Sequence, residues 1–280
     1  MPIKISSLQN DRVKQVVKLS NRRYRDAVRL TVVEGVREVS RAWQQGIRPV
    51  EAYLCPPLLD TALAHAVAAE LQAEHANGRF SLFEVTPDVY AKMAYRGQSG
   101  GLLLVIPYLS LALADLQLRQ PPFLAIIEGA EKPGNLGAIL RTADAAGVDG
   151  VIVAQAEGES GTDLHNPNVI RASLGTLFTV PVAAANTARV VTWLQAQQIQ
   201  IVAATPEGKR PYTAVDMTQA TAIVSGSEAH GLSPAWLTAA AVQVVIPMVG
   251  QADSLNLATA TALLLYEVVR QRGSADYHQS

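Results

Sequence analysis

Three stretches in the second half of the chain gather the polar residues best suited to chemistry. Glu128-Gly-Ala-Glu-Lys-Pro-Gly-Asn-Leu-Gly-Ala-Ile-Leu-Arg141 holds Asn135 and Arg141. Ser225-Gly-Ser-Glu-Ala-His-Gly-Leu-Ser233 holds Gly226 and Glu228, and Ile246-Pro-Met-Val-Gly-Gln-Ala-Asp-Ser-Leu-Asn256 holds Met248, Ser254 and Leu255. Each places Gly or Pro directly after an apolar run and a polar residue near the next helix start, which brings backbone close to a ligand. The common phosphate readings fail on residue type. Gly129-x4-Gly134 and Gly226-x4-Gly231 imitate the glycine spacing of a P-loop without its lysine, and no G-x-G-x-x-G follows a strand. No G-x-S-x-G elbow and no histidine-rich zinc motif is present. What fits is a ligand held mainly by backbone and by Asn, Ser and Thr, with one Arg and one Glu nearby: a nucleoside-like molecule without a polyphosphate.

The elements that must position these stretches follow from hydrophobic patterning. Strands are expected at Phe123 to Glu128, Gly150 to Ala154, Thr176 to Val182, Ile199 to Ala204, Ala222 to Gly226 and Val242 to Pro247. Helices are expected at Asn135 to Gly147, Ala188 to Gln197, Pro234 to Ala240 and Leu255 to Arg272. Continuous apolar strands alternating with helices predict a mostly parallel sheet covered on both faces, a doubly wound α/β domain. Its ligands belong beyond the carboxyl ends of the strands, where the three stretches lie.

The first hundred residues read as a second, smaller α/β domain. Its helices are expected from Asn10, from Gly35 through Trp43, at Leu58 to Gln72 and at Pro87 to Ala94; its strands at Leu30 to Val33, Val50 to Leu54, Phe80 to Val85 and Leu102 to Ile106. Leu109 to Leu118 is weakly helical and Gln120-Pro-Pro122 forces an extended exit, so the expected organisation is a domain over 1–107, a linker over 108–122, a second domain over 123–272 and a polar tail over 273–280. Charge is divided unevenly. Residues 1–50 carry eleven Lys/Arg against four Asp/Glu, a net +7 in a chain of net −1, which leaves −8 on the rest. A basic arm on an acidic body suits contact with a polyanion, nucleic acid above all, or a solvated helical face. The single cysteine, Cys55, and five scattered histidines predict a reducing compartment, the cytoplasm, and no metal. No apolar segment is long enough for a membrane span, so no membrane partner is expected.

Together, Asn135-x-Gly137-x3-Arg141-x5-Gly147, Gly226-Ser-Glu228-x2-Gly231-Leu and Ile246-Pro-Met248 with Ser254-Leu-Asn256 resemble the three ordered motifs of the SpoU family of RNA ribose 2′-O-methyltransferases. Asn10-Asp-Arg-Val-Lys, Tyr24-Arg-Asp and Val33-Glu-Gly-Val-Arg37 are similar to the ribosomal-protein-like substrate-binding domain of one branch of that family. The resemblance implies a C-terminal trefoil knot, S-adenosylmethionine (AdoMet) as cofactor, and a homodimer whose sites draw on both chains. It implies backbone contacts to the cofactor from Gly226, Ile246 and Leu255, with Met248 lining it and Thr205 beside it. Around the methyl-transfer site it implies Asn135, Arg141, Glu228, Ser254 and Asn256. RNA contacts are expected from Arg12, Lys14, Arg22, Arg23, Arg37 and Arg171.

The assignments have plain structural alternatives: a helix cap for Asn135, Glu228 and Ser254, a surface helix position for Arg141, a satisfied strand end for Thr205, an exposed ion pair for Arg171, and a loop position without chemistry for His230. The expected function is AdoMet-dependent methylation of a ribose 2′-hydroxyl in structured RNA, ribosomal RNA favoured over transfer RNA. The rival is a noncatalytic RNA-binding or ribosome-assembly factor that retains the fold.

Overall fold

A computed structural model describes residues 2–95, 99–130, 132–158, 161–227 and 230–273. The chain divides into two compact units. The first comprises Met1–Leu109 with Asp163–Thr179, the second Ser110–Thr162 with Val180–Ser280.

The first unit contains β1 (Ile3–Ile5), α1 (Asp11–Lys18), α2 (Arg22–Val28), β2 (Leu30–Glu34), α3 (Val36–Gln44), β3 (Glu51–Leu54), α4 (Ala62–His75), β4 (Ser81–Val85), α5 (Pro87–Met93) and β5 (Leu102–Pro107). Its five strands run in the order β1-β4-β3-β5-β2, with β5 antiparallel to both neighbours and the other pairings parallel. Tyr53, Phe83, Val89, Tyr90 and Leu103 fill one side of its core. The helix expected from Leu58 starts later, at Ala62, because Pro56–Leu58 takes a 3-10 turn and Thr61 then caps the helix by accepting from Ala64 N at 3.1 Å. Helix α2, absent from the sequence expectation, is a two-turn element capped by Asn21.

The second unit contains β6 (Phe123–Glu128), α6 (Pro133–Ala146) and β7 (Gly150–Gln155); α7 (Pro167–Ala172) then falls in the first unit. The second unit resumes with β8 (Val182–Asn186), α8 (Thr187–Ala196), β9 (Gln200–Ala204), β10 (Arg210–Pro211), β11 (Thr221–Ser225), α9 (Pro234–Ala239), β12 (Val242–Val245) and α10 (Leu257–Gln271). All seven strands are parallel, in the order β10-β12-β9-β11-β6-β7-β8. Side chains alternate across the sheet. Leu124, Ile126, Ala222 and Val224 pack with Leu194 of α8 and Trp236 of α9. The intervening Ala125, Ile127 and Ile223 are equally buried towards the other face, where α6 and α10 pack together. Helices therefore cover both faces.

The strand expected at Thr176 to Val182 is not formed. Leu174 and Gly175 take left-handed conformations at φ 53° and 81°, and Thr176–Phe178 forms a 3-10 turn. Ser173 Oγ donates to Ile170 O at 2.7 Å and Thr176 Oγ1 to Ser173 O at 2.8 Å, so local hydroxyl bonds outcompete the strand ladder. The strand begins at Val182 instead. Likewise only Leu113–Asp115 of the weakly helical 109–118 stretch turns, as a 3-10 helix.

Candidate active site

Sheet register brings the motif stretches to one edge. Ser225 of β11 pairs with Ile127 of β6 on one side and with Ala204 of β9 on the other, and Ala204 pairs with Val244 of β12. Because these strands are parallel, Glu128, Gly226, Thr205 and Val245 leave neighbouring strand ends in the same direction, each about 4.8 Å from the next strand. From β6 the chain steps towards β7 and β8; from β11 it steps to β12 on the opposite side. The gap between the turns after β6 and β11 is therefore a topological switch point, where open α/β sheets bind ligands.

Backbone approaches are close here. A Cβ on Gly226 would lie 2.2 Å from Gly231 C and 2.5 Å from Leu232 N. Ser227 and Gly231 form a bridge, with Gly231 N donating to Ser227 O at 2.9 Å. Beside it, Ser225 Oγ is buried and has no hydrogen-bond partner among the described residues. A buried hydroxyl without a partner costs free energy that a polar ligand atom recovers. Thr205 N donates to Val244 O at 3.0 Å, tying the ends of β9 and β12, while its hydroxyl donates to Glu207. That hydrogen bond holds the Glu207 carboxyl below the usual carboxylate range. Glu228 lies outside the described residues. His230 is exposed, its N–H donating to Ser227 Oγ at 3.1 Å.

The first and third stretches meet through their asparagines. Asn256 Nδ2 donates to Asn135 Oδ1 at 3.1 Å across 121 residues of sequence. Lys132, not Asn135, is the N-cap of α6, Pro133 opens the helix, and Asn135 sits in its first turn. Gly147 closes α6 at φ 65°, the left-handed cap that glycine permits. Asn256 also caps α10, its Oδ1 accepting from Ala258 N at 3.0 Å. The cap of α10 is thus Asn256 and not Ser254, which is exposed two residues earlier. Arg141 is exposed on α6. Ile246 and Leu255 are half-buried, whereas Met248 is exposed at 38% and Val249 at 98%.

The predicted RNA-contact residues all fall in the first unit. Arg23 and Arg37 are exposed. Lys14 pairs with Asp11 at 3.1 Å and Arg22 with Asp26 at 3.6 Å, both exposed pairs of little intrinsic strength. Arg12 pairs with Glu51 and lies 4.7 Å from the Phe83 ring centroid. Arg171 pairs with the buried Glu34 at 3.3 Å. Arg25, within the same basic run, is buried: it pairs with Asp163 and donates to Leu19 O and Ser20 O at 2.8 and 2.9 Å. Ser225, at the switch point, and Glu128, buried at the end of β6, are residues beside the motif positions that the motifs do not single out. A lone acid ending the apolar run Phe123 to Ile127 is the sequence signal for the second; the first has none. Among the described residues there is no group of three or more His, Cys, Asp or Glu able to hold a metal, and no helix long and apolar enough to cross a membrane.

A seven-stranded parallel sheet with helices on both faces, a backbone-lined switch point and an asparagine pair joining two of its motif stretches define a doubly wound α/β protein. Residues 122–266 match the SpoU rRNA Methylase family, and residues 10–103 match the MRM3-like substrate binding domain. The chain belongs to the SpoU rRNA methylase family. It is 31% identical over 262 residues to a 23S rRNA (uridine(2479)-2′-O)-methyltransferase of Streptomyces viridochromogenes, covering 91% of this chain and 87% of that one. The crystal structure of an RNA 2′-O ribose methyltransferase superposes with a TM-score of 0.81 at 38% identity, over 96% of this chain and 99% of that one. An AdoMet-bound rRNA methyltransferase from Sinorhizobium meliloti superposes with a TM-score of 0.84 at 30% identity, over 95% and 97%.

Proposed function

We propose that this protein methylates a ribose 2′-hydroxyl of structured RNA, ribosomal RNA in preference to transfer RNA, with AdoMet as methyl donor. The observation that carries the proposal is the meeting of Asn135 and Asn256 beside the backbone-lined switch point, in a member of the SpoU family. The substrate preference rests on the named activities of relatives, which include the Streptomyces uridine-2′-O-methyltransferase of 23S rRNA. In the proposed division of labour, 1–107 grips RNA, 108–122 links and 123–272 transfers the methyl group; the 274–280 portion of the expected tail lies outside the described residues.

The groups at the switch point fit the adenosine part of the cofactor. Gly226, Ile246 and Leu255 offer backbone groups, Ser225 Oγ a buried hydroxyl in need of a partner, Thr205 a strand end and Met248 an apolar wall. When bound, AdoMet supplies a methyl group already activated on a sulfonium. The protein supplies the rest. A 2′-hydroxyl is a weak nucleophile, so it must be aligned, its developing negative charge stabilised and water excluded. Arg141 provides the charge: a guanidinium stays protonated in proteins, which suits binding of the target phosphate and stabilisation of an alkoxide better than proton acceptance. Asn135 and Asn256, hydrogen-bonded to each other, orient the arginine and the ribose, with Ser254 and Glu228 completing the site.

A homodimer is part of the proposal. Leu263 and Tyr266 of α10 are 38% and 44% exposed, and with Tyr212, Thr259, Ala262 and Glu267 they line a shallow groove of about 400 Å³. An apolar stripe on a helix suits a second copy of the chain. The trefoil knot belongs to the same reading. After β12 the chain enters α10, which packs on α6 and β11. Buried Cys55, its thiol pushed up by burial, is compatible with the cytoplasm.

The test is calorimetric titration of the purified protein with AdoMet and, in parallel, with NAD and ATP. Selective AdoMet binding is expected. Its absence makes the noncatalytic RNA-binding factor the better reading.

A further inference from the structure

Glu128 ends the central strand β6, is 3% exposed and has no part in the chemistry described above. Its carboxylate accepts four hydrogen bonds. Oε1 accepts from Thr187 Oγ1 at 2.5 Å, Ser233 Oγ at 3.0 Å and Trp236 Nε1 at 3.1 Å, and Oε2 accepts from Ser233 N at 2.7 Å. Two of these donors, a backbone N–H and an indole N–H, can only donate, so both oxygens must be acceptors. No neutral isostere satisfies that demand: an amide would turn an N–H towards one of them. The carboxylate thus fixes three strand-to-helix junctions at once, after β6, after β8 and after β11.

The junction after β11 matters most. Ser233 is the N-cap of α9, yet its hydroxyl makes no cap hydrogen bond and turns to Glu128 instead. Its N–H does the same, so the residue directly after Leu232 is held at two points. Leu232 and Gly231 are the residues against which Gly226 is pressed. Gly226 itself is fixed by β11, and the far side of the turn is fixed through Ser233. Trp236, fully buried, locks the same connection from inside the core.

We infer that Glu128 is the positioning residue of the cofactor turn, setting the spacing between Gly226 and Gly231 through its hold on Ser233. The inference rests on the reading of Gly226 as a cofactor contact. It assigns Glu128 no contact with substrate or cofactor.

The experiment compares AdoMet affinity by calorimetry in the full-length parent and in Glu128→Gln, Glu128→Asp, Ser233→Ala and Thr187→Val, with thermal melting and RNA affinity measured alongside. Glu128→Gln is expected to weaken AdoMet binding about tenfold or more, the scale of losing paired charge-assisted hydrogen bonds, with RNA affinity unchanged. Glu128→Asp keeps the acceptors and recovers part of the loss. Ser233→Ala, milder in case Glu128→Gln fails to fold, weakens AdoMet binding about threefold because the N–H bond survives. Thr187→Val removes a bond to the same carboxylate away from the turn, and leaves AdoMet affinity within about twofold even if it lowers the melting temperature. Parent-like AdoMet binding by folded Glu128→Gln, or by Ser233→Ala, overturns the inference. So does a loss in Thr187→Val as large as that in Glu128→Gln, which would mark a general destabilisation. A parent that binds no AdoMet overturns the cofactor reading itself, and the inference with it.

Discussion

Asn256 uses the two ends of one amide for two purposes. Its oxygen caps α10 and its nitrogen reaches Asn135. Substitutions can separate these. Asn256→Asp keeps the cap acceptor but sets an oxygen against Asn135 Oδ1, so its melting temperature should stay near the parent's while turnover falls about tenfold or more. Asn256→Ala should lose both, with about 1 kcal/mol of stability gone with the cap. Parent-like turnover in Asn256→Asp would remove the asparagine pair from the reaction. For Arg141, the mechanism asks for charge that matters most in the transition state. Arg141→Ala should therefore leave AdoMet affinity nearly intact while turnover drops on the order of a hundredfold; a change in AdoMet affinity with no change in turnover would sink that role. At this scale residue type and spacing singled out Asn135 and Asn256, which the structure brings together. The sequence was illegible for Ser225, whose significance lies in having no partner among the described residues, and for Arg25, whose burial against Asp163 hides it inside a basic run.

Elements decide how near these residues come. Gly226 is not needed for a left-handed backbone; it is needed because a Cβ would meet the main chain of Gly231 and Leu232, which no rotamer change can relieve. Gly226→Ala should open the turn, weaken AdoMet binding about tenfold or more and cost about 1–3 kcal/mol of stability, the usual penalty of overpacking. Calorimetry and thermal melts on the same sample check both, and an unchanged affinity would take the turn out of the cofactor site. The strands of the second unit were legible because continuous apolar runs bounded by Gly and Pro have few alternatives. The Thr176 to Val182 stretch was misread because Thr, Leu, Phe and Val are good strand formers. Periodicity does not register that Ser173 and Thr176 hydroxyls bond the local backbone, or that Leu174 turns left-handed.

For the whole molecule, the basic first fifty residues and the apolar α10 face make separate predictions. If the first unit grips RNA electrostatically, Arg22→Ala/Arg23→Ala should weaken binding and reduce the slope of log affinity against log salt by about one to two, as each lost phosphate contact releases fewer counterions. An unaltered slope would place the grip elsewhere. If α10 joins two copies, Leu263→Glu should convert a dimer into a monomer in sedimentation velocity; a parent that already sediments as a monomer would end that reading. By itself the sequence determined the class of fold, most of the strands and helices of its two units, and the three stretches proposed to meet the ligand. Those depend on local apolar periodicity, on glycine and proline, and on residue chemistry, all of which act over a few neighbours in the chain. Only the tertiary structure decided that Asn135 meets Asn256, that Ser233 and Trp236 converge on Glu128, and that Asp163–Thr179 joins the first unit and not the second. Strand order and register set these meetings. They are fixed by packing among residues more than a hundred positions apart, and no local pattern carries that information.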